Sequence, residues 1–265
     1  MAITIKSARE IELMSEAGRI LEIVHNELAK ALHSGMSTLD IDRLGEEVIR
    51  SYGCIPSFLN YDGYPASICV SVNDEVVHGI PDKHRILKEG DIVSLDAGVI
   101  YKGYHSDAAR TYGIGEISKE AEKLIRVTRE CFFEGIKYAK DGNHLCDIAA
   151  AIDSHAKKHG YGVVRDLCGH GIGTDLHEPP QIPNYKMDRK GVKLRAGMTL
   201  AIEPMINMGT WEVKWLEDKW TVVTKDHKYS AHYENTVLIT EGEPKLLTLT
   251  GHDRASVETA KDAEK

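Results

Sequence analysis

A chain of 265 residues is long enough to bury one large core or two smaller ones. Its hydrophobic share of 42%, its charged share of 28% and its 8 prolines are ordinary for a globular protein, which excludes the disordered and fibrous classes. A formal net charge of -8 disfavours a general nucleic-acid binder, because attraction to phosphate requires a basic surface.

The cysteines and the apolar stretches indicate the compartment. The five cysteines are odd in number and show no Cys-x-x-Cys spacing, which disfavours both a disulfide framework and a structural zinc ribbon. Residues 1–6 lack the apolar core of a signal peptide, and no stretch approaches the roughly 18 apolar residues of a membrane span. We therefore expect a cytoplasmic protein without membrane contact, and the composition suggests a monomer.

A helix pair is predicted at the start of the chain. Residues 7–10 form a capping box, in which a serine and a glutamate satisfy the free amides of a first helical turn. Apolar residues then recur every three or four positions up to Leu32, and Gly35 ends the helix. A second helix is predicted at about 38–52, ending at Gly53.

The second half of the chain repeats this pattern. Helices are predicted at about 118–139 and 145–159. A constant offset of 107 residues relates the two copies. At this offset Asp96 corresponds to Glu203, and each of them ends a predicted strand in its own copy. The other residues that recur are Gly35, Asp40, Ile41 and Gly53, which become Gly142, Asp147, Ile148 and Gly160.

The repeat predicts the domain organisation. We expect one α+β domain over residues 1–250, built from related halves at about 7–112 and 118–240, each a helix pair followed by antiparallel strands. Residues 208–229 interrupt the second half as an extra hairpin. Residues 251–265 are predicted to be a polar C-terminal tail.

Two aspartates lie on a predicted hairpin. Strands near 94–98 and 106–110 flank a turn at 101–103, an arrangement that would set Asp96 nearly opposite Asp107. Like charges that face each other on a buried sheet require a cation or a shared proton. From the hairpin alone, two aspartates that simply face water are the simpler interpretation.

Three further residues favour a metal site over two aspartates that simply face water. His170 lies in a predicted glycine-flanked turn, Glu203 ends a strand, and Glu234 lies within another strand. Each alone is more typical of a core histidine or a solvated carboxylate. Together with the aspartates they form an oxygen-rich donor set that suits Mn²⁺, Fe²⁺, Co²⁺ or a zinc pair. Two such ions about 3.5 to 4 Å apart can activate a shared water, so the implied chemistry is hydrolysis.

The order and surroundings of these five residues resemble the methionine aminopeptidases of the pita-bread fold. The resemblance extends from the first helix to about Leu249, and the lack of a long helical insertion is similar to the short bacterial type I form. It implies two pseudo-symmetric halves around a central metal site. The matching motifs are residues 76–81, 95–98, 106–107, 169–173, 177–180, 202–204 and 234–236.

The resemblance implies a role for each donor residue. Asp96, Asp107 and Glu234 would bridge or chelate two divalent metal ions, and His170 and Glu203 would complete the coordination. Glu203 would also shuttle the proton of the metal-bound water. The implied ions are Mn, Fe, Co or Zn, together with a monovalent Na or K ion held by loop carbonyls near residues 73, 75 and 230, which are Asn73, Glu75 and Ser230.

The resemblance also implies substrate contacts. His177 would stabilise the developing oxyanion, and His78 would orient or protonate the peptide nitrogen. An apolar methionine pocket would be formed by Tyr61, Tyr64, Cys69 and Trp220, with Phe58 and Leu176 at its rim. The positions that depart from the family pattern are Leu176, Asp62, Tyr233 and Asn235.

The implied function is removal of the initiator methionine from nascent polypeptides, at the ribosome, with a preference for a small second residue. No membrane or specific nucleic-acid partner is implied. One alternative is a proline-directed relative, which usually carries a large extra N-terminal domain. Another is a catalytically dead pita-bread module that binds a protein or nucleic acid, but such modules lose metal ligands.

Overall fold

The computed structural model describes residues 3–249. Within this range, four helices cover the outside of antiparallel sheets. The helices are α1 (Ala8–Ala31), α2 (Thr38–Ser51), α3 (Lys119–Ile136) and α4 (Leu145–Lys158). The strands are β1 (Ile55–Pro56), β2 (Ile68–Val72), β3 (Glu75–Val77), β4 (Ile92–Tyr101), β5 (Tyr104–Gly113), β6 (Gly162–Val163), β7 (Gly169–Gly171), β8 (Glu178–Ile182), β9 (Thr199–Ile202), β10 (Met205–Asn207), β11 (Val213–Trp215), β12 (Val222–Thr224), β13 (Ser230–His232), β14 (Asn235–Leu238) and β15 (Lys245–Leu246).

The first helix begins at the predicted capping box. Ser7 N donates to Glu10 Oε2 at 2.7 Å, while the Ser7 hydroxyl accepts from Glu10 N at 3.4 Å. The apolar stripe of α1 is buried against the first-half sheet. A histidine on an outer helix is more simply expected at the surface, but His25 is buried at 1% exposure, with Nε2 2.8 Å from Ala108 O. It is buried because it lies on the same helix face as the apolar stripe.

The later helices follow the prediction with small changes at their ends. α3 stops at Ile136 rather than at Ala139, because Ala139 N bonds to Ile136 O at 3.0 Å in a tight closing turn. α3 and α4 pack on the second-half sheet through a core that contains Phe132 and Ile152. Each half therefore has its own core.

The repeat extends to the backbone hydrogen bonds. Gly35 N donates to Leu87 O at 2.8 Å, and their counterparts at the 107-residue offset, Gly142 N and Leu194 O, are 3.0 Å apart. The two glycines have φ values of 94° and 90°, a conformation that glycine adopts without strain. The halves are thus the same backbone unit used twice, as the sequence predicts.

The hairpin of β4 and β5 corrects one prediction. Its turn contains two residues, 102–103, both with positive φ, instead of the three assumed from the sequence. Asp96 therefore pairs with Ala109, and Gly98 pairs with Asp107. The two aspartates are diagonal neighbours on one face rather than opposite each other, which still keeps their carboxylates close.

The second half carries the predicted insertion. β11 and β12 form a hairpin within residues 208–229, and β12 pairs with β3 of the first half. Met205, which precedes the inserted hairpin, pairs with His232, which follows it, just as Gly98 pairs with Asp107 in the first half. Since Met205 is the counterpart of Gly98 at the 107-residue offset, His232 occupies the place of Asp107 in the second half.

The remaining expectations concern membrane-spanning helices, the state of the cysteines, the C-terminal tail and the domain boundaries. Among residues 3–249, no helix combines the length and apolar character that a membrane span needs. All five cysteines are free thiols. The predicted tail at 251–265 lies outside the described residues, and the boundaries of a single domain at 1–250 stay a prediction.

Candidate metal centre

A cavity of about 150 Å³ lies where the two halves meet. It is bordered by the five predicted metal ligands, by both predicted catalytic histidines, by the six predicted pocket side chains and by Asp62. The structure thus brings together residues that are far apart in the sequence. The lining side chains are Phe58, Tyr61, Asp62, Tyr64, Cys69, His78, Asp96, Asp107, His170, Leu176, His177, Glu203, Trp220 and Glu234.

Two buried carboxylates come from the first half. Asp96 on β4 is 9% exposed and Asp107 on β5 is 4% exposed. Burial raises the pKa of Asp107 to about 7, and burial together with Asp107 raises the pKa of Asp96 well above its usual value. Without a compensating positive charge, at least one of them would bind a proton near neutral pH.

His170 is held in a strand rather than in the predicted turn. It lies at the centre of β7, between β8 and β9. The flanking glycines are needed because a Cβ on Gly169 would meet Ala201 O at 2.3 Å, and one on Gly171 would meet Pro179 O at 2.2 Å. The glycines therefore allow close packing of strands, and the local sequence did not distinguish this use from a turn.

The hydrogen bond of His170 sets its tautomer. Nδ1 lies 2.8 Å from Gly171 O, and since a carbonyl can only accept, Nδ1 must carry the proton. Nε2 is left with a lone pair, 3.7 Å from Asp107 Oδ2 and 3.6 Å from Glu203 Oε1. Burial, followed by His177, lowers the pKa of His170 to about 3, so the ring is neutral and able to ligate.

Two glutamates complete the set from the second half. Glu203 directly follows β9, as predicted, whereas Glu234 lies at the junction of β13 and β14 rather than within a strand. Glu234 N donates to Ala109 O at 3.0 Å, which joins this junction to β5. Burial and Asp107 raise the pKa of both glutamates well above the usual value.

The chemistry of this donor set fits a divalent metal pair. Asp96 Oδ1, Asp107 Oδ1 and Glu234 Oε1 are buried and have no hydrogen-bond partner within residues 3–249. Two sets of three residues in the cavity each have ligand atoms that lie within 4.8 Å of one another, and Glu234 belongs to both sets. Buried carboxylate oxygens left without hydrogen bonds are stable only beside cations or when protonated. The sets are Asp107, His170 and Glu234, and Asp96, His232 and Glu234.

Two residues at the site were missed by the sequence analysis. His232 is 2% exposed and lies with Nε2 3.7 Å from Glu234 Oε2. Extension of the repeat beyond the inserted hairpin would have identified it as the counterpart of Asp107. Arg110 is also buried and donates to the backbone carbonyl of Glu234 and, at 2.7 Å, to Asn235 Oδ1. No motif indicated Arg110, because its partners lie in the other half.

Three of the four positions that depart from the family pattern lie beside the site, and the fourth, Leu176, lines the cavity itself. Asn235 accepts from Arg110 and, at 3.0 Å, from Thr248 Oγ1. The Tyr233 ring lies 4.3 Å from the Arg110 guanidinium. Asp62 borders the cavity in a short 3₁₀ turn with φ of 48°. All three therefore belong to the surroundings of the site.

Two histidines lie on the substrate side of the cavity. The His177 ring is 4.3 Å from that of His170, and His177 Nδ1 is 2.8 Å from the Tyr61 hydroxyl. Burial lowers the pKa of His177, and burial followed by His177 lowers that of His78 to about 4. His78 has φ of 58° and faces Trp220 with ring centres 6.3 Å apart.

The predicted monovalent-cation region lies where the turn at Asn73 meets the first residues of β3 and β13. Ser230 N donates to Asn73 O at 2.8 Å. The Glu75 carboxylate accepts a hydrogen bond from Val72 N at 2.7 Å. The segments are adjacent, and the ion itself stays a prediction.

Comparison with known proteins defines the class. The profile of metallopeptidase family M24 matches residues 12–241. The chain is 55% identical to a methionine aminopeptidase of Clostridium acetobutylicum over 247 residues, which is 93% of this chain and 99% of the relative. It is 49% identical to methionine aminopeptidase 1 of Bacillus subtilis over 243 residues, covering 92% and 98%.

Solved structures also resemble this chain in fold. A methionine aminopeptidase of Thermotoga maritima superposes with a TM-score of 0.91 at 46% identity and covers 93% of this chain and 99% of that one. A prolidase of Pyrococcus furiosus has a TM-score of 0.76 at 24% identity, with 93% and 65% covered, which shows a shared fold only.

The chain belongs to metallopeptidase family M24, whose members are hydrolases that bind divalent metal. Within this family it belongs to the methionine aminopeptidases of the bacterial type I kind, with the pita-bread fold. It is therefore an enzyme. The higher identity to the methionine-directed group than to the prolidase disfavours the proline-directed alternative.

Proposed function

We propose that this enzyme removes the initiator methionine from protein N-termini with two divalent ions held by Asp96, Asp107, His170, Glu203 and Glu234. The observation that carries the proposal is the convergence of these residues on one cavity beside an apolar pocket. Asp107 and Glu234 are central to the donor set. His170 and Glu203 lie on the side of Asp107 and would bind the ion there, whereas Asp96 would bind the ion on the other side of the donor set.

The chemistry follows from these positions. When bound, the ions supply a water whose pKa is lowered enough for attack on a peptide carbonyl near neutral pH. Glu203 lies beside His170 at the edge of the donor set, and its side chain is 13% exposed, so it can accept the proton of the attacking water and return it to the leaving amine.

Two neutral histidines would act on the peptide. His177 is oriented by the hydrogen bond between its Nδ1 and the Tyr61 hydroxyl, and in the tautomer in which Nδ1 accepts from the phenol, Nε2 carries the proton and donates to the developing oxyanion. His78, on the wall near Trp220, hydrogen-bonds the peptide nitrogen on the leaving side. Their lowered pKa values keep both rings neutral at pH 7.

The apolar end of the cavity would select methionine. Tyr64, Cys69 and Leu176 are almost fully buried there, and the Trp220 ring packs edge-on at 5.2 Å from Tyr64. Soft and aromatic walls suit an unbranched thioether. Phe58 and Tyr61 border the cavity as well, and their rings would limit the space open to the second residue.

The finer assignments are also proposals. The ions are Mn, Fe, Co or Zn, since these share the ligand set and availability selects among them. A Na or K ion binds near Asn73, Glu75 and Ser230, where the turn at Asn73 meets the starts of β3 and β13. The enzyme acts in the cytoplasm as a monomer on nascent chains at the ribosome, and the net charge of -8 disfavours specific nucleic-acid binding.

The decisive experiment measures cleavage of a peptide panel by the metal-stripped enzyme after addition of each ion. Met-Ala and Met-Gly peptides should lose only their first residue, and only with divalent metal. Met-Leu and Ala-Pro peptides should be poor substrates. Equal turnover of Met-Leu and Met-Ala would refute the proposed specificity, and turnover without any metal would refute the mechanism.

A further inference from the structure

A second cluster of metal-ligating side chains lies on the outer face of the second half. His155 lies on α4, His159 directly follows the last residue of α4 and is one helical turn further along, and Glu130 projects from α3. His155 Nε2 is 3.0 Å from Glu130 Oε2, and the two imidazole rings have centres 4.9 Å apart. One ligand atom from each residue lies within 4.8 Å of the others.

The donor set matches a known type of zinc site. Two imidazoles and one carboxylate leave a fourth position for water in a tetrahedral shell. Arg126 donates to Glu130 Oε1 at 2.6 Å, which holds the carboxylate and directs Oε2 toward His155. All three ligand side chains are partly exposed, so an ion can enter from solvent and small side-chain rotations can close the shell.

The first half shows that the helix pair does not need these residues. At the 107-residue offset, the counterparts of His155 and His159 are Val48 on α2 and Tyr52 directly after it, and neither side chain is a typical metal ligand. The same helix-pair architecture is therefore built without the histidines. Their placement opposite Glu130 is specific to the second half.

We propose that Glu130, His155 and His159 bind one zinc ion that ties α3 to α4, separate from the catalytic cavity. The bound ion replaces the direct hydrogen bond between His155 and Glu130 by two metal bonds. It links the C-terminal end of α4 to α3, the two helices that cover the second-half sheet.

Native mass spectrometry in micromolar Zn²⁺ tests this proposal on the full-length enzyme. His159→Ala and His155→Ala proteins should each retain one zinc ion fewer than wild type, while His84→Ala, which changes an exposed histidine elsewhere, should match wild type. Because all catalytic ligands are retained, the difference counts only the outer site. Equal zinc content in the wild-type, His159→Ala and His155→Ala proteins would overturn the proposal.

A separate observation concerns His232 in the central cavity. Neither of its ring nitrogens has a hydrogen-bond partner in the part of the chain that the structure describes, although the side chain is 2% exposed. Nε2 lies 3.7 Å from Glu234 Oε2 and 3.9 Å from Glu203 Oε2. His170 has nearly the same geometry, with two carboxylate oxygens at 3.7 and 3.6 Å.

The geometry points to His232 as a second nitrogen ligand of the metal pair, on the side of Asp96. This inference rests on the proposed function, because it assumes that the cavity holds the catalytic ions. His232 groups with Asp96 and Glu234 as His170 groups with Asp107 and Glu234. A ligand at this place also fits the repeat, in which His232 is the counterpart of Asp107.

X-ray absorption of the cobalt-loaded enzyme tests this assignment, with His159→Ala present in every protein compared so that the outer cluster adds no cobalt-bound imidazole. Wild type should show two imidazoles per metal pair and His232→Leu should show one, with affinity for the second ion lower by about tenfold to a hundredfold. His105→Gln, which changes a buried histidine bonded to Ser57, should leave both values unchanged. If wild type binds two ions and His232→Leu does so with the same spectrum, only this assignment fails. If wild type binds no ions, the proposed function fails too.

Discussion

The two halves share a backbone and differ in the chemistry they carry. The same turns, caps and hydrogen bonds recur at the 107-residue offset, yet the first half places two aspartates on adjacent strands. The second half places two glutamates and two histidines on the matching elements. Duplication of a scaffold therefore preserves what the backbone requires and leaves the side chains at the shared cavity free to diverge.

Contacts between the halves determine the geometry of the site. The Thr236 hydroxyl accepts from Asp107 N and donates to Asp107 O, both at 2.9 Å. Arg110 of the first half bonds to the Glu234 and Thr248 carbonyls of the second. Contacts with the other half therefore add to those that hold each ligand in its own half, and the variants that follow test this dependence.

The largest effect is expected for Asp107→Asn. The amide removes one negative charge from the proposed metal site, so kcat/KM should fall about a thousandfold or more, equivalent to roughly 4 kcal/mol. Kinetics with a Met-Ala peptide and elemental analysis measure this. Asp188→Asn, at an exposed carboxylate, is the control, and an Asp107→Asn enzyme with normal metal content and rate would remove Asp107 from the site.

A smaller loss is expected for His177→Ala, which breaks the contact between His177 and Tyr61 of the other half. Removal of an oxyanion donor should lower kcat by about a hundredfold. Metal content should stay at the wild-type value, because His177 is not in the donor set. A variant with unchanged kcat would show that His177 has no role in the chemical step.

Arg110→Met tests the connection between the halves. The substitution leaves buried carbonyl oxygens of the second half without a donor, which should lower the free energy of unfolding by about 2 kcal/mol. Denaturant unfolding monitored by fluorescence measures it. Arg195→Met, at an exposed arginine, should cost much less, and equal effects would mean that the Arg110 contacts do not stabilise the fold.

The smallest effect concerns pH and the N-terminal segment. Glu178, next to His177, accepts from Lys6 at 2.6 Å. Burial alone would raise the pKa of Glu178, but hydrogen bonds from Lys6 and Thr4 outweigh it and lower the pKa below 4.5. The pair therefore stabilises the fold above pH 4.5, and this contribution is lost as the pH falls through the lowered value.

The matching variant is Glu178→Gln, whose amide cannot titrate. Its melting temperature should fall less than that of wild type between pH 6 and pH 3. Glu243→Gln, at an exposed carboxylate, is the control. Parallel pH dependence of wild type and Glu178→Gln would show that this link contributes nothing measurable.

Much of the fold could be predicted from the sequence because its signals are local. The capping box at Ser7 and the apolar spacing of α1 are formed by residues within a few turns of one another. The repeat was detectable because each copy needs glycine at the same positive-φ positions, such as Gly35 and Gly142. The donor residues could be named from their motifs for the same reason.

Tertiary structure decided what depends on distant segments. The turn length at 102–103 set the register that makes Asp96 and Asp107 diagonal neighbours. Packing between strands placed His170 in a sheet, and packing against the first-half sheet buried His25. His232 points at two carboxylates only because β13 takes the place of β5 after a hairpin insertion. Local sequence determines which residues can ligate, but the free energy of packing two halves together determines which of them meet.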